Sequence, residues 1–427
     1  MVRILFIVNH FYPELGAVRT EFEIAKELAK RGNEVLVVTT FPRMYRLPRG
    51  YIYRVPRMKL AVIEFIDGLK VLRVRSFRSR IDNLRQRIAE LVSSINSLLL
   101  ASLFLAPFYD VILVAGDIEL AVVQVGILLK FLWRKPLTVI LHDIHPDTLI
   151  KSGVIKGKVI VRLAELLIRT FSKWVDRVIV HSYSNAKILS ARYRMPMEKI
   201  DVVELWADVR CFKKVRQSVD IAKLKRKFVS EEGKFIVSFA GIMNPPQGLD
   251  VVIYTARYIK ERYPDIASRV VFLLVGDGME KSRLIKLADE LGVNDLVRFF
   301  PLQSHSKYIG ILLFSDVCLI TLRKDYIQPV VPSKLFEIMA AGCPAVLSMP
   351  IHSDAVRIVT RHKCGIYAGN SDAKKLADTI ISLLTNEKLR TDLSINARNV
   401  AIKYYNLDRA VKQYEDIIKL YCRKYNQ

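Results

Sequence analysis

Cysteine is scarce in this chain: there are five in 427 residues, Cys211, Cys318, Cys343, Cys364 and Cys422, and no two stand as a CxxC pair. An odd, widely spaced set in mostly apolar surroundings excludes a disulfide framework and a cysteine zinc site, and points to reduced thiols of a cytoplasmic protein. Acidic residues are also short, 42 against 67 Lys and Arg, which leaves a net charge of +25. Low-complexity tracts and short-period repeats are missing, so disordered and solenoid classes drop out. Ile4–Val8 runs straight into a loop and an amphipathic helix, so no signal peptide is expected. What is present is a globular composition, 51% hydrophobic, with length enough for two domains that each bury a core.

The positive charge is uneven. Between Arg43 and Arg87 stand 13 Lys or Arg against 3 acids, and directly afterwards Leu91–Tyr109 is uncharged for 19 residues with apolar residues at helical spacing. Four readings fit such a segment. A membrane-spanning helix is weakened by Ser93, Ser94, Asn96, Ser97, Ser102 and Pro107. A buried core helix is the plain alternative. Nucleic acid is not expected as a partner, because few aromatics beyond Tyr45, Tyr51, Tyr53 and Phe77 interleave the charge and no recognition motif appears. The favoured reading is an interfacial segment on an anionic membrane surface.

Hydrophobic runs alternate with helical stretches. Ile4–Val8, a helix over Thr20–Lys30 stopped at Gly32, and Val35–Val38 make a βαβ opening. Further buried strands are expected at Val111–Val114, Leu137–Leu141 and Arg177–Val180. A second set follows at Phe235–Ala240, Val270–Val275, Val297–Phe300, Val317–Thr321 and Ala345–Ser348. Continuous apolar runs of this kind belong to parallel sheets covered on both faces. The polar interval Val209–Lys234 reads as the linker, which gives domains at 1–210 and 211–404 and a last helix over 405–427 that does not belong obviously to the second sheet. Ligands of doubly wound sheets bind at the carboxyl ends of the strands. The loops to watch are therefore Asn9–Arg19 and His142–Asp147 in the first domain. In the second they are Gly241–Gly248, Gly276–Gly278, Leu302 and Leu322–Ser333.

Residues 332–346 stand out. Pro332 can begin a helix, Ser333 can cap it, and Gly342 with Pro344 stops it before the next strand. Free N–H groups at its start, the Ser333 hydroxyl and Lys334 suit a phosphate, and Glu337 one turn on suits a ribose diol. An ordinary capped helix with a solvated Lys/Glu pair would look the same.

Taken in order, Pro13-Glu-Leu-Gly16, Leu141-His-Asp-Ile-His-Pro146, Phe239-Ala-Gly-Ile-Met-Asn-Pro-Pro-Gln-Gly-Leu-Asp250, Leu274-Val-Gly-Asp-Gly278 and Val331-Pro-Ser-Lys-Leu-Phe-Glu-Ile-Met-Ala-Ala-Gly342 resemble glycosyltransferase family 4 (GT4), retaining enzymes. More narrowly they are similar to the amino-deoxysugar transferases of surface polysaccharide synthesis. The resemblance implies a GT-B fold: two Rossmann-like α/β domains facing a central cleft, with a final helix crossing back to the first. It implies a nucleotide-diphosphate-sugar donor, no metal, no other cofactor, and a lipid-linked or surface glycan acceptor at the inner face of the cell membrane. The family's pocket histidine falls on His142, with His145 as the alternative, and Asp143 beside it is either part of that pocket or a turn residue. Donor-binding roles fall on Gly16, Gly241, Asp277, Leu302, Ser333, Lys334 and Glu337; Asp277 is equally suited to cap the next helix.

The sequence also departs from the family. Pro329 stands where the first acid of the usual E-x7-E pair would be, and Ile242 and Gln247 stand roughly where the phosphate loop has Arg and Lys. Lys334, with Arg323, is left to offset the diphosphate charge. Two rival functions follow: a nucleotide-sugar 2-epimerase of the same fold, or a scaffold subunit with a decayed site.

Overall fold

The computed structural model describes residues 1–14, 18–43, 53–54, 59–77, 84–116, 120–142, 169, 172–326 and 331–425. They form two compact units, Met1–Glu204 with Ala410–Gln427, and Leu205–Arg409.

The first unit is built on an eight-stranded sheet in the order β3-β4-β2-β1-β5-β6-β7-β8. Its strands are β1 (Arg3–Val8), β2 (Glu34–Thr40), β3 (Ala61–Ile66), β4 (Leu69–Val74), β5 (Val111–Gly116), β6 (Leu137–Leu141), β7 (Arg177–Val180) and β8 (Ile200–Val202). Only β3 runs antiparallel, against β4 at the sheet edge. The sequence reading lacked this hairpin because β3 alternates instead of running apolar, with Ile63 and Phe65 facing out. Helix α1 (Val18–Lys30) buries Ile24, Ala25 and Leu28.

Part of the basic run is neutralised inside this unit. Arg73 on β4 is wholly buried, its Nε 2.6 Å from Glu64 Oε2 and its other nitrogens on the carbonyls of Thr40 and Tyr12. Arg43 pairs with Glu90 at 2.9 Å. A buried guanidinium persists only when paired and hydrogen-bonded in this way. Helix α2 (Leu84–Leu103) turns Ser94, Leu98 and Ser102 inward and packs on α3 (Leu120–Trp133). Among the described residues no helix is long and apolar enough to cross a membrane, so the spanning reading of this segment is dropped. Helix α4 (Tyr183–Tyr193) is capped by Ser182, whose hydroxyl accepts from the Asn185 N–H.

In the second unit the expected linker is two helices, α5 (Val209–Ser218) and α6 (Ile221–Phe228). Asp208 and Asp220 cap them by accepting backbone N–H bonds, and Phe212, Val215, Leu224 and Phe228 are buried. The polar stretch is thus a pair of amphipathic helices, and the boundary falls at Glu204/Leu205. A six-stranded parallel sheet follows in the order β11-β10-β9-β12-β13-β14. Its strands are β9 (Phe235–Ala240), β10 (Val270–Val275), β11 (Val297–Phe300), β12 (Val317–Thr321), β13 (Ala345–Ser348) and β14 (Gly365–Tyr367). Helices α7 (Asp250–Arg262), α8 (Pro264–Ala267), α9 (Lys281–Glu290), α10 (His305–Phe314), α11 (Lys334–Ala341), α12 (Asp354–His362), α13 (Ala373–Thr385) and α14 (Glu387–Tyr404) complete it. The order reverses between β9 and β12, and the loops leaving these two strands border the crevice where such sheets bind ligands.

The last helix, α15 (Leu407–Tyr425), belongs to the first unit from Ala410 onward. Val411, Tyr414 and Ile418 are buried, Glu415 accepts from Asn33 at 2.9 Å, and the Arg177 guanidinium lies 4.4 Å from the Tyr421 ring centre.

Candidate active site

At the switch point of the second sheet the loop after β9 is stitched to the loop after β10. Gly241 N–H donates to the Val275 carbonyl and Met243 N–H to the Asp277 carbonyl, both at 2.9 Å. The approach is so close that a Cβ on Gly276 would lie 1.8 Å from the Gly241 oxygen, which explains the glycine there. Behind this loop a short turn, Pro245–Gln247, is held by Thr321, whose hydroxyl donates to the Gln247 carbonyl at 2.6 Å.

Helix α11 brings Lys334 to the same place. Its ammonium sits 3.9 Å from the centre of the Phe239 ring and donates to Gln247 Oε1 at 3.2 Å. Loss of surrounding water pushes its pKa down to about 7, opposed by the nearby Cys318 thiol, and a ring face and one amide oxygen are its direct contacts. A ligand phosphate would supply the missing anion. Ser333 is exposed, already has helical dihedrals and makes no capping hydrogen bond, so the expected hydroxyl cap is absent and α11 starts with its N–H groups uncovered by that side chain. Gly342, in the left-handed conformation, ends the helix as expected.

Glu337 lies one turn along. Its Oε2 accepts from the Tyr308 hydroxyl at 2.9 Å and its Oε1 is 3.7 Å from His305 Nε2. Both partners come from the start of α10, and no sequence motif flagged them. Asp277 has an exposed side chain 3.4 Å from the Lys281 ammonium. That ammonium also donates to the Gly276 and Phe300 carbonyls, which ties the two loop ends together. Leu302 is 54% exposed in the loop after β11. Arg323, the other proposed cation, spends its guanidinium on Asp325 at 3.0 and 2.8 Å and lines a cavity of about 420 Å³ with Gly248, Asp250, Arg283 and Lys324.

In the first unit His142 follows β6. Its Nδ1 is 2.9 Å from His181 Nε2 and its Nε2 is 2.8 Å from Glu21 Oε1. The Nδ1 contact is a hydrogen bond, whereas Nε2 lies close to the carboxylate without forming one. His181 is buried, and burial, together with the neighbouring His142, pushes its pKa down to about 3. Gly16, Asp143, His145 and Pro329 lie outside the described residues. Among the described residues no three His, Cys, Asp or Glu side chains are grouped to hold a metal ion.

Comparison with known proteins agrees with this architecture. The family model described as glycosyltransferase family 4 matches residues 16–210, and that described as glycosyl transferases group 1 matches residues 220–400. The putative colanic acid biosynthesis glycosyl transferase WcaI of Escherichia coli K12 is 27% identical over 219 residues, 50% of this chain and 51% of that protein. The chain thus spans about half the length of that relative. The N-acetyl-alpha-D-glucosaminyl L-malate synthase of Bacillus anthracis is 24% identical over 95% of this chain and 94% of its own. Among solved structures, Anabaena HepE in complex with UDP superposes with a TM-score of 0.72 at 18% identity, covering 98% of this chain and 99% of that one. With the two models together accounting for most of its length, and two doubly wound units of GT-B type, the chain belongs to glycosyltransferase family 4.

Proposed function

We propose that the protein transfers a sugar, with retention of configuration, from a nucleotide-diphosphate-sugar bound by the second unit to a lipid-linked glycan at an anionic membrane surface on the cytoplasmic side. The carrying observation is the convergence of Lys334, Gln247, Gly241 and the start of α11 at the switch point, with Glu337 one turn further along. Lys334 and the helix N–H groups would hold the diphosphate and stabilise it as it departs, and Glu337 would accept from the ribose diol. On this reading no resident metal is needed. UDP in HepE and the glucosaminyl group in the name of the Bacillus anthracis relative favour a uridine nucleotide and an amino sugar.

The membrane part rests on the first unit. Leu100 of α2, Phe104 and Phe108 just beyond it, and Phe131 and Leu132 of α3 are all more than half exposed. Trp174 packs edge-on to Phe131 at 5.8 Å, and exposed Arg134 and Lys173 flank these rings. Aromatic side chains with a basic rim suit the interface of an anionic bilayer. Five free thiols suit a reducing compartment.

Calorimetry with UDP and GDP, followed by a screen of nucleotide-sugars against membrane lipid extract, tests the reading. The expected result is UDP binding and lipid-dependent release of nucleotide diphosphate. Glu337→Ala should weaken UDP binding by about 1.5–3 kcal/mol, the range for a hydrogen bond to a charged acceptor. Conversion of a free UDP-sugar without acceptor would replace the transferase by an epimerase, and failure to bind any nucleotide would leave a scaffold.

A further inference from the structure

Glu337 is held from outside its own helix. Its side chain is only 16% exposed, and a carboxylate so far out of water needs donors. Oε2 accepts from the Tyr308 hydroxyl at 2.9 Å, a well-formed hydrogen bond. His305 Nε2, 3.7 Å from Oε1, lies beyond that reach, so of these two neighbours the hydroxyl is the one that fixes the carboxylate.

Tyr308 is built to be a rigid partner. It stands in the first turn of α10, where its N–H donates to the Ser304 carbonyl at 2.8 Å, and α10 packs on α11. Its ring lies against two apolar clusters of the second unit, one containing Phe336 and Ile338 and the other Phe228 and Ile311. The His305 ring is stacked beside it at 6.1 Å. With the ring locked, the position of the hydroxyl oxygen is set, whereas a glutamate has three torsions to settle. Two neighbouring hydroxyls of a ribose donate side by side only to a carboxylate whose plane is aimed at them. Each carboxylate oxygen keeps two lone pairs, so Oε2 can accept from Tyr308 and from a ligand together. We propose that Tyr308 is a positioning residue that holds the Glu337 carboxylate ready for a ribose diol, so that the second unit distinguishes a ribonucleotide from a deoxyribonucleotide without reordering Glu337 on binding. Because α10 begins just after the loop that carries the exposed Leu302, one helix also sets that loop and the ribose acceptor in a common register.

This role rests on the ribose contact proposed for Glu337, and two nucleotides separate the two claims. UDP and 2′,3′-dideoxy-UDP are titrated by calorimetry into the full chain and into Tyr308→Phe, which keeps the ring and deletes the hydroxyl. The wild type should bind UDP more tightly than the dideoxy nucleotide. Tyr308→Phe should lose about three- to tenfold in UDP affinity, the scale of one ordinary hydrogen bond, and leave the affinity for 2′,3′-dideoxy-UDP unchanged, since that ligand asks nothing of the carboxylate. In a Glu337→Ala background the same substitution should have no effect on UDP binding. A packing defect would instead lower both affinities together. An equal loss for both nucleotides, or an unaltered UDP affinity in folded Tyr308→Phe, overturns the positioning role and leaves the ribose contact standing. A wild type that binds UDP and its dideoxy analogue equally, or binds neither, overturns the ribose contact and the role of Tyr308 with it.

Discussion

Lys334 makes a pH prediction of its own. Its folded-state pKa is depressed to about 7 from the ordinary 10.5, so between those values the unfolded chain binds more protons than the folded one. Unfolding free energy should therefore rise as pH increases through that window, and be least helped by this residue below pH 7. Lys334→Met should flatten the slope, as measured by denaturant melts at pH 7, 8.5 and 10. UDP binding above pH 7 should also take up protons, visible as a binding enthalpy that changes with the ionisation enthalpy of the buffer; equal enthalpies in phosphate and Tris would remove Lys334 from the diphosphate site. The sequence made Lys334 and Glu337 legible because a helix start puts them one turn apart on a single short element. Glu21 and His181 were not legible, since only the parallel pairing of β6 with β7 brings His181 beside His142. Ser333 was misread as a cap because its residue type favours that role, whereas its backbone is already helical.

At the level of elements, the strands were the most readable part. Runs such as Phe235–Ala240 and Val270–Val275 are buried on both faces, so their bounds follow from hydrophobicity alone. Edge and amphipathic pieces were harder. The β3–β4 hairpin alternates, and α5 and α6 carry enough Lys and Arg on their outer faces to pass for a linker. The same distinction bears on α2 and α3, where rings left on the outer side cannot be assigned to a core. Replacing Phe104, Phe108 and Phe131 together by Ser should leave the melting temperature nearly unchanged, because these side chains are already largely in water, yet abolish sedimentation with vesicles containing anionic lipid. Retained sedimentation would place the lipid contact elsewhere.

For the whole molecule, the division into two units depends on a helix far from the rest of the first one in sequence. Val411, Tyr414 and Ile418 bury side chains there worth roughly 1.5–3 kcal/mol each, and Glu415 satisfies Asn33. Ending the chain after Arg409 should lower the melting transition of the first unit by many degrees and leave that of the second in place, two events that differential scanning calorimetry would resolve. A single unchanged transition would show that α15 is dispensable. The sequence marked this helix as out of place, but its partners lie far off in the chain, Asn33 382 residues from Glu415 and Arg177 beyond the whole second unit from Tyr421, out of reach of any local pattern.

That returning helix also imposes an order on biosynthesis. Residues 1–204 leave the ribosome first, but the groove for Tyr414 and Ile418 stays open until the whole second unit has been translated, a wait of about 10–40 s at typical elongation rates. Throughout that interval the nascent amino-terminal half presents an unfilled apolar seam to other chains in the vicinity, which makes this the stage of synthesis most exposed to aggregation.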